Sequence, residues 1–250
     1  MPDFPFARER ELFPILRHKV QLSSCSQSAL STPVAQALAA YQQGWLEQGM
    51  DWGGWMDGVN QAKAEFARLI GASPEEIATL SSVSDIASSI VGALDFPAQR
   101  PRIVATALDF PSTGHVWLAQ QRRGAQVRFV DAGSHGAIDE DALLAAIDER
   151  TRLVALSQVS YHGGHLIDVA RVAARAREVG ALLFVDAYQS AGTLPIDVAR
   201  DGIDMLASGA QKYLLGCPGI AFAYVWRGLW RELEPSNTGW FGRANPFAFD

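Results

Sequence analysis

Ala181–Trp226 reads ALLFVDAYQSAGTLPIDVARDGIDMLASGAQKYLLGCPGIAFAYVW, and its pattern decides the fold. It holds three apolar runs, Ala181–Val185, Ile203–Ala207 and Ile220–Trp226, each short enough to be a buried strand. The last two are joined only by a short segment ending in Gly216-Cys217-Pro218-Gly219. The third run is therefore expected to lie antiparallel to the second. A carboxylate, Asp186, closes the first strand, and a single lysine, Lys212, follows the second. The question is whether these two charges serve turns or chemistry.

Upstream, apolar runs recur at Arg102–Ala107, Gln126–Val130 and Arg152–Leu156, with a shorter one in EIATL before Ser81. Helical patterns at about His115–Arg123, Asp139–Asp148 and Asp168–Val179 separate the strands from Arg102 to Val185. This alternation predicts an α/β fold, a mainly parallel sheet with helices on both faces. Before it come two further helices, Thr32–Leu46 and about Trp55–Leu69, the second ended by Gly71. Met1 to about Leu30 reads as an irregular N-terminal arm. In sheets of this kind ligands gather at the carboxyl ends of the strands, so the chemistry is sought just after each apolar run.

Composition narrows the field of functions. Of 250 residues, 48% are hydrophobic and 19% charged, and the net charge of −6 speaks against a nucleic-acid or anionic-membrane surface. The two cysteines, Cys25 and Cys217, form no CxxC pair, so neither a disulfide framework nor a zinc site is expected. The N-terminus lacks the apolar segment of a signal peptide, and no apolar run reaches a membrane span. A cytoplasmic protein is the expectation. There is no GxGxxG, GxxxxGK[ST] or GxSxG, which removes the commonest nucleotide and hydrolase readings.

At the strand ends several groups remain, each with a plain alternative. Asp186 could cap a helix, and Lys212 could be a solvated turn residue. Ser82 and Asp85 have capping-box spacing and start a helix whose first turn could receive a phosphate. Phe110, in Asp109-Phe110-Pro111-Ser112-Thr113, could stack on a flat ligand or pack in the core. His162 and His165 lack a third partner of suitable spacing, so no metal site is expected. A lysine and a carboxylate from two strand ends can serve one aromatic cofactor. Pyridoxal phosphate (PLP) bonds a lysine through its aldehyde and needs an acid beside its ring nitrogen.

Taken in order, LLFVDAYQSAGTLPIDV and DMLASGAQKYLLGCPGIAFAYV resemble the class V aminotransferase family of fold-type I PLP-dependent enzymes, which includes cysteine desulfurases and kynureninases. The resemblance runs from about Leu22 to the end of the chain. It implies a seven-stranded-type sheet with a PLP-binding large domain over residues 49–235, an arm and helix over 1–48, and a truncated C-terminal segment over 236–250. It also implies Lys212 as the Schiff-base lysine, Asp186 as the partner of the ring nitrogen, and Gln189 as a contact of the ring's 3′ oxygen. Val83 and Ser84 match the phosphate-binding turn, to which Ser208 or Gln211 could add. Ser160 takes the place of an Asn that touches the 3′ oxygen. Phe110 matches the stacking aromatic. Trp240, in TGWFGRANPFAFD, matches a residue that reaches a phosphate across a homodimer interface.

The chain departs from the kynureninase pattern at Thr113, Gln189 and Gln211. The expected activity is therefore amino-acid transamination, with a PLP-dependent lyase or hydrolase, or a truncated PLP-binding protein without turnover, as alternatives. The resemblance implies a C-terminal small domain carrying an Arg for the substrate carboxylate; the expectation is that the sequence either is a fragment or lacks this clamp.

Overall fold

The computed structural model describes residues 6–133, 136–243 and 245–248. Residues 1–5 of the expected arm, and 244, 249 and 250 of the expected tail, lie outside these. The arm carries one short helix, α1 (Ala7–Glu11), and a 3-10 turn at Pro14–Arg17, and is otherwise irregular. Two long helices follow, α2 (Thr32–Gln48) and α3 (Trp52–Ile70). Ser31 caps α2, accepting from Val34 N, and Gly71 ends α3 in the left-handed region, φ 70°.

The rest is a seven-stranded sheet: β1 (Ile77–Leu80), β2 (Arg102–Thr106), β3 (Gln126–Val130), β4 (Thr151–Ser157), β5 (Leu182–Asp186), β6 (Met205–Gly209) and β7 (Ala221–Val225). Its order is β1-β7-β6-β5-β4-β2-β3. Only β7 is reversed, antiparallel to both β1 and β6, as the short connection from β6 requires. Four helices pack on the sheet besides α3: α4 (Val83–Gly92), α5 (Pro111–Ala119), α6 (Glu140–Ala146) and α7 (Val169–Glu178).

Strand alternation divides the core into two layers. Val104, Val154, Leu183, Val185, Leu206 and Phe222 face α3, α6 and α7. Their neighbours Ile103, Leu153, Phe184, Met205 and Ala223 face α4 and α5. Side chains of successive strand residues point to opposite faces, so a sheet covered on both sides needs unbroken apolar runs, as found here. On the α4 side the residues of β6 and β7 are small: Ala207, Ala221 and Ala223. Small side chains let α4 lie close, and its first turn thereby reaches the carboxyl rim of the sheet.

Two element boundaries differ from the sequence expectation in ways that matter. Helix α5 begins at Pro111, not near His115, because a proline with its fixed φ suits the first helical position. Strand β6 begins at Met205 and runs to Gly209, two residues further than expected, which carries the chain to within three residues of Lys212.

Candidate active site

A cavity of about 460 Å³ opens at the carboxyl rim, a size ordinary for a small-molecule site. Its walls come from the arm (Cys25, Ser26), the start of α4 (Ser82 to Ser84), the α5 entrance (Phe110), and the ends of β4, β5 and β6. Lys212 and Asp186 both line it.

Asp186 is the last residue of β5, 7% exposed, and its Oδ1 accepts from Tyr188 N at 2.8 Å. Burial pushes its carboxyl from the ordinary 3.8 up to about 6. The Tyr188 hydrogen bond opposes that rise, the nearby Asp109 charge adds to it, and Lys212 opposes it. Asp109, also buried, ties two strand ends together: its carboxylate accepts from Thr106 N at 3.0 Å and Ser157 N at 2.7 Å. Burial raises its pKa as well. Sequence reasoning passed over Asp109, although it stands three residues past a strand end, as Lys212 does.

The Lys212 amine sits over aromatic faces, 4.2 Å from the Tyr188 ring centroid and 5.6 Å from that of Phe110. Burial lowers its pKa, against the opposing charge of Asp186. A depressed lysine keeps more of its amine free to attack a carbonyl. Two close approaches hold this corner. A β-carbon on Gly209 would lie 2.2 Å from the Tyr188 ring, and one on Gly192, at φ +90°, would lie 2.5 Å from Tyr213 O. The loop after Asp186 thus packs directly on the turn that carries Lys212. That turn closes through Leu215 N to Lys212 O at 3.1 Å, with Leu215 itself left-handed at φ 58°.

At α4, Ser82 Oγ accepts from Asp85 N at 3.1 Å, and Asp85 turns its carboxylate back onto Ser81 N and Oγ. Asp85 is therefore directed away from the cavity. The first-turn N–H groups of a helix lack intrahelical acceptors, and here Val83 and Ser84 present that turn to the cavity.

The family model for aminotransferase class-V matches residues 30–244. The chain belongs to the aminotransferase class-V family. An uncharacterized aminotransferase of Bacillus subtilis (strain 168), YcbU, is 41% identical over 95% of this chain and 63% of that protein. A probable cysteine desulfurase of Methanothermobacter thermautotrophicus is 31% identical over 92% of this chain and 58% of its own length. A kynureninase of Geobacillus thermodenitrificans is 28% identical over 100% of this chain and 63% of its own length. The chain thus spans about three-fifths of these relatives (58–63%). Among solved structures, a C-DES mutant with glycine covalently linked to the PLP cofactor superposes with a TM-score of 0.83 at 24% identity. That match covers 92% of this chain and 63% of the other, and it shows the shared fold.

Class-V enzymes depend on PLP, and the cavity fits that group. A part-buried amine, a nine-tenths-buried carboxylate and a helix N-terminus converge on one space, and an aldehyde, a ring nitrogen and a phosphate call for these three. Of the residues expected from the class-V resemblance, Lys212, Asp186, Val83, Ser84, Phe110, Gln189 and Gln211 line the cavity.

Three others lie elsewhere. Ser208, fully buried on β6, directs its Oγ to the carbonyls of Ala187 and Gly209. Strand alternation puts it beneath the rim. Ser160 donates to Leu108 O and accepts from His162 N, while its neighbours Val159 and Tyr161 face the cavity. Tyr161 meets Phe110 edge-on at 5.1 Å. Trp240 sits outside the cavity against Trp52, ring centroids 5.4 Å apart. Among the described residues no three His, Cys, Asp or Glu cluster as a metal site, and no helix is long and apolar enough to cross a membrane.

Proposed function

We propose that residues 49–235 are the cofactor-binding part of a PLP-dependent enzyme acting on amino acids, with transamination as its reaction. The observation that carries this is the pairing of Lys212 and Asp186 on one cavity, the amine depressed and the carboxylate raised, close enough for each to shift the other. The 41% identity to a protein named as an aminotransferase favours transamination.

When bound, the cofactor supplies an electron sink for bonds to the amino acid's α-carbon. The chain supplies the rest. Lys212 Nζ would hold the cofactor through its aldehyde and would serve as the base that moves the proton at the α-carbon. Asp186 keeps a proton on the ring nitrogen. At an effective dielectric of ~20, opposite charges ~4 Å apart attract by about 4 kcal/mol, enough to hold it there at neutral pH. The first turn of α4 takes the phosphate, and Phe110 packs on the ring. Trp240, whose cluster with Trp52, Phe241 and Phe247 is about half exposed, belongs in this reading to a homodimer interface.

The test is to load the chain with PLP, reduce with borohydride and map the adduct by mass spectrometry. A pyridoxyl group on Lys212 is expected, and it should vanish in Lys212→Ala. An adduct elsewhere, or none, overturns the reading. Product analysis with an amino-acid panel separates a transaminase, which yields the oxo acid and aminated cofactor, from a lyase or hydrolase that cleaves the side chain.

A further inference from the structure

The two glutamines that line the cavity, Gln189 and Gln211, spend their side-chain donors on the arm. Gln189 Nε2 donates to Cys25 O at 3.0 Å and Gln211 Nε2 to Ser26 O at 3.5 Å, while Ser28 N donates to Gln211 O at 2.9 Å. The arm segment is itself a closed loop. Ser26 N and Gln27 N both donate to Ser23 O, at 2.8 and 2.9 Å, and Gln21 Nε2 donates to Ser23 Oγ and Gln27 O. It therefore docks as a unit, with Cys25 and Ser26 forming part of the cavity wall. Cys25 and Lys212 line the same cavity.

We infer that Gln189 and Gln211 are positioning residues, an amide clasp that holds the arm loop Gln21–Ser28 as a detachable wall of the cavity. Cys25 is the residue this wall presents to the substrate. Three observations carry this: two side-chain amides from separate strand ends reach the same few residues, the loop is closed on itself, and its far face is the cavity. The loop is otherwise open to solvent: Leu22, Ser23 and Gln27 are exposed, as are the wall residues Cys25 and Ser26. The arm is thus held chiefly from the cavity side, and the groups that hold it are cavity-lining. Whatever fills the cavity meets the same two glutamines and the same thiol. Occupancy and arm docking are thereby coupled, and the shape of the arm's inner face limits the side chain of the substrate. The substrate part of this inference rests on the PLP reading above; the clasp does not.

The clasp is tested without cofactor. Trypsin can cut after Lys19, an exposed residue just before the loop. Gln189→Glu together with Gln211→Glu keeps side-chain size but turns each donor into an acceptor. Cleavage after Lys19 should quicken about tenfold, the population shift that two modest hydrogen bonds give. An unchanged rate overturns the clasp. Should the double variant fail to fold by circular dichroism, Gln211→Glu alone carries the same test, with a smaller acceleration expected.

The wall is tested on the wild-type chain by iodoacetamide labelling of Cys25, with Cys217 as internal reference. PLP plus an amino acid should slow labelling at Cys25 at least about tenfold and leave Cys217 unchanged; unaltered Cys25 labelling in a chain whose Lys212 carries the pyridoxyl adduct overturns the wall. If Lys212 takes no adduct while the trypsin result holds, the PLP reading and the substrate role of Cys25 fall and the clasp stands. A third readout separates specificity from mere structure. Cys25→Leu should change the ratio of kcat/KM between small and bulky amino acids, and a uniform loss across the panel would count against a specificity role.

Discussion

The ring of Tyr188 crosses Gly209 so closely that a β-carbon there would fall 2.2 Å from its Cζ and hydroxyl oxygen. The same ring lies 4.2 Å from the Lys212 amine, so one missing side chain on β6 sets the seat of the lysine. Gly209→Ala should displace Tyr188 and lower unfolding free energy by about 1–3 kcal/mol, the range for an overpacked interior. Denaturant unfolding measures the loss. Borohydride trapping of PLP at Lys212 should slow in the same variant, and normal trapping with normal stability would refute the seating role.

Asp186 makes stability depend on pH. Its folded pKa of about 6 lies above the ordinary 3.8. The unfolded chain therefore loses this proton first as pH rises, and the folded state is progressively penalised between about 3.8 and 6. The full penalty is on the order of 3 kcal/mol above that window and is absent below it. Asp186→Asn keeps the acceptor for Tyr188 N and removes the charge. It should stabilise the cofactor-free chain at pH 7.5 far more than at pH 4, as urea unfolding would show. A pH-independent difference would contradict the burial argument. With PLP, the same variant should still form the Lys212 adduct but lose most turnover.

Asp109 should prove structural first and electrostatic second. Asp109→Ala strands two buried N–H groups, Thr106 N and Ser157 N, at a cost of about 3 kcal/mol for the pair. It also removes a charge that raises the Asp186 pKa. The pH window of the preceding test should accordingly move to lower pH. A stability loss without that shift would show that the two carboxylates do not sense each other.

Leu215, left-handed at φ 58°, strains the turn behind Lys212. Leu215→Gly removes a conformational cost of roughly 1–2 kcal/mol, partly offset by the greater freedom of glycine when unfolded. The melting temperature should rise or stay level. A clear fall would mean that the leucine side chain contributes more by packing than its backbone loses.

The architecture was largely legible because a doubly covered sheet writes unbroken apolar runs, and the reversal of β7 follows from a connection too short to cross the sheet. Lys212 and Asp186 could be singled out for the same reason: each stands at or just past a strand end, and both line the cavity. The direction of individual side chains was not legible. Ser160 differs from the cavity-lining Val159 and Tyr161 by a single step, and a one-residue step in extended chain turns a side chain to the other face; Ser208 lies deeper, still within β6, three residues before the cavity-lining Gln211. The occupation of Gln189 by Cys25 O was invisible because the partner lies 164 residues away in sequence. No local pattern encodes such a contact.

The placement of β1 carries a consequence for how the molecule assembles. Ile77 is paired opposite Tyr224, and β7 is the only strand joining β1 to the rest of the sheet. Helix α4 follows β1 immediately and packs on β6 and β7. During synthesis, then, α4 can pack on α5 early, but the turn at Ser82–Ser84 lacks its support from β6 and β7 until residues near 225 have emerged, although most of the parallel sheet is already in hand. Such long-range closure is slow. The α4 wall should therefore be the last part of the cavity to form, and on mild denaturation the first to open, with hydrogen exchange at α4 preceding that of β4 and β5.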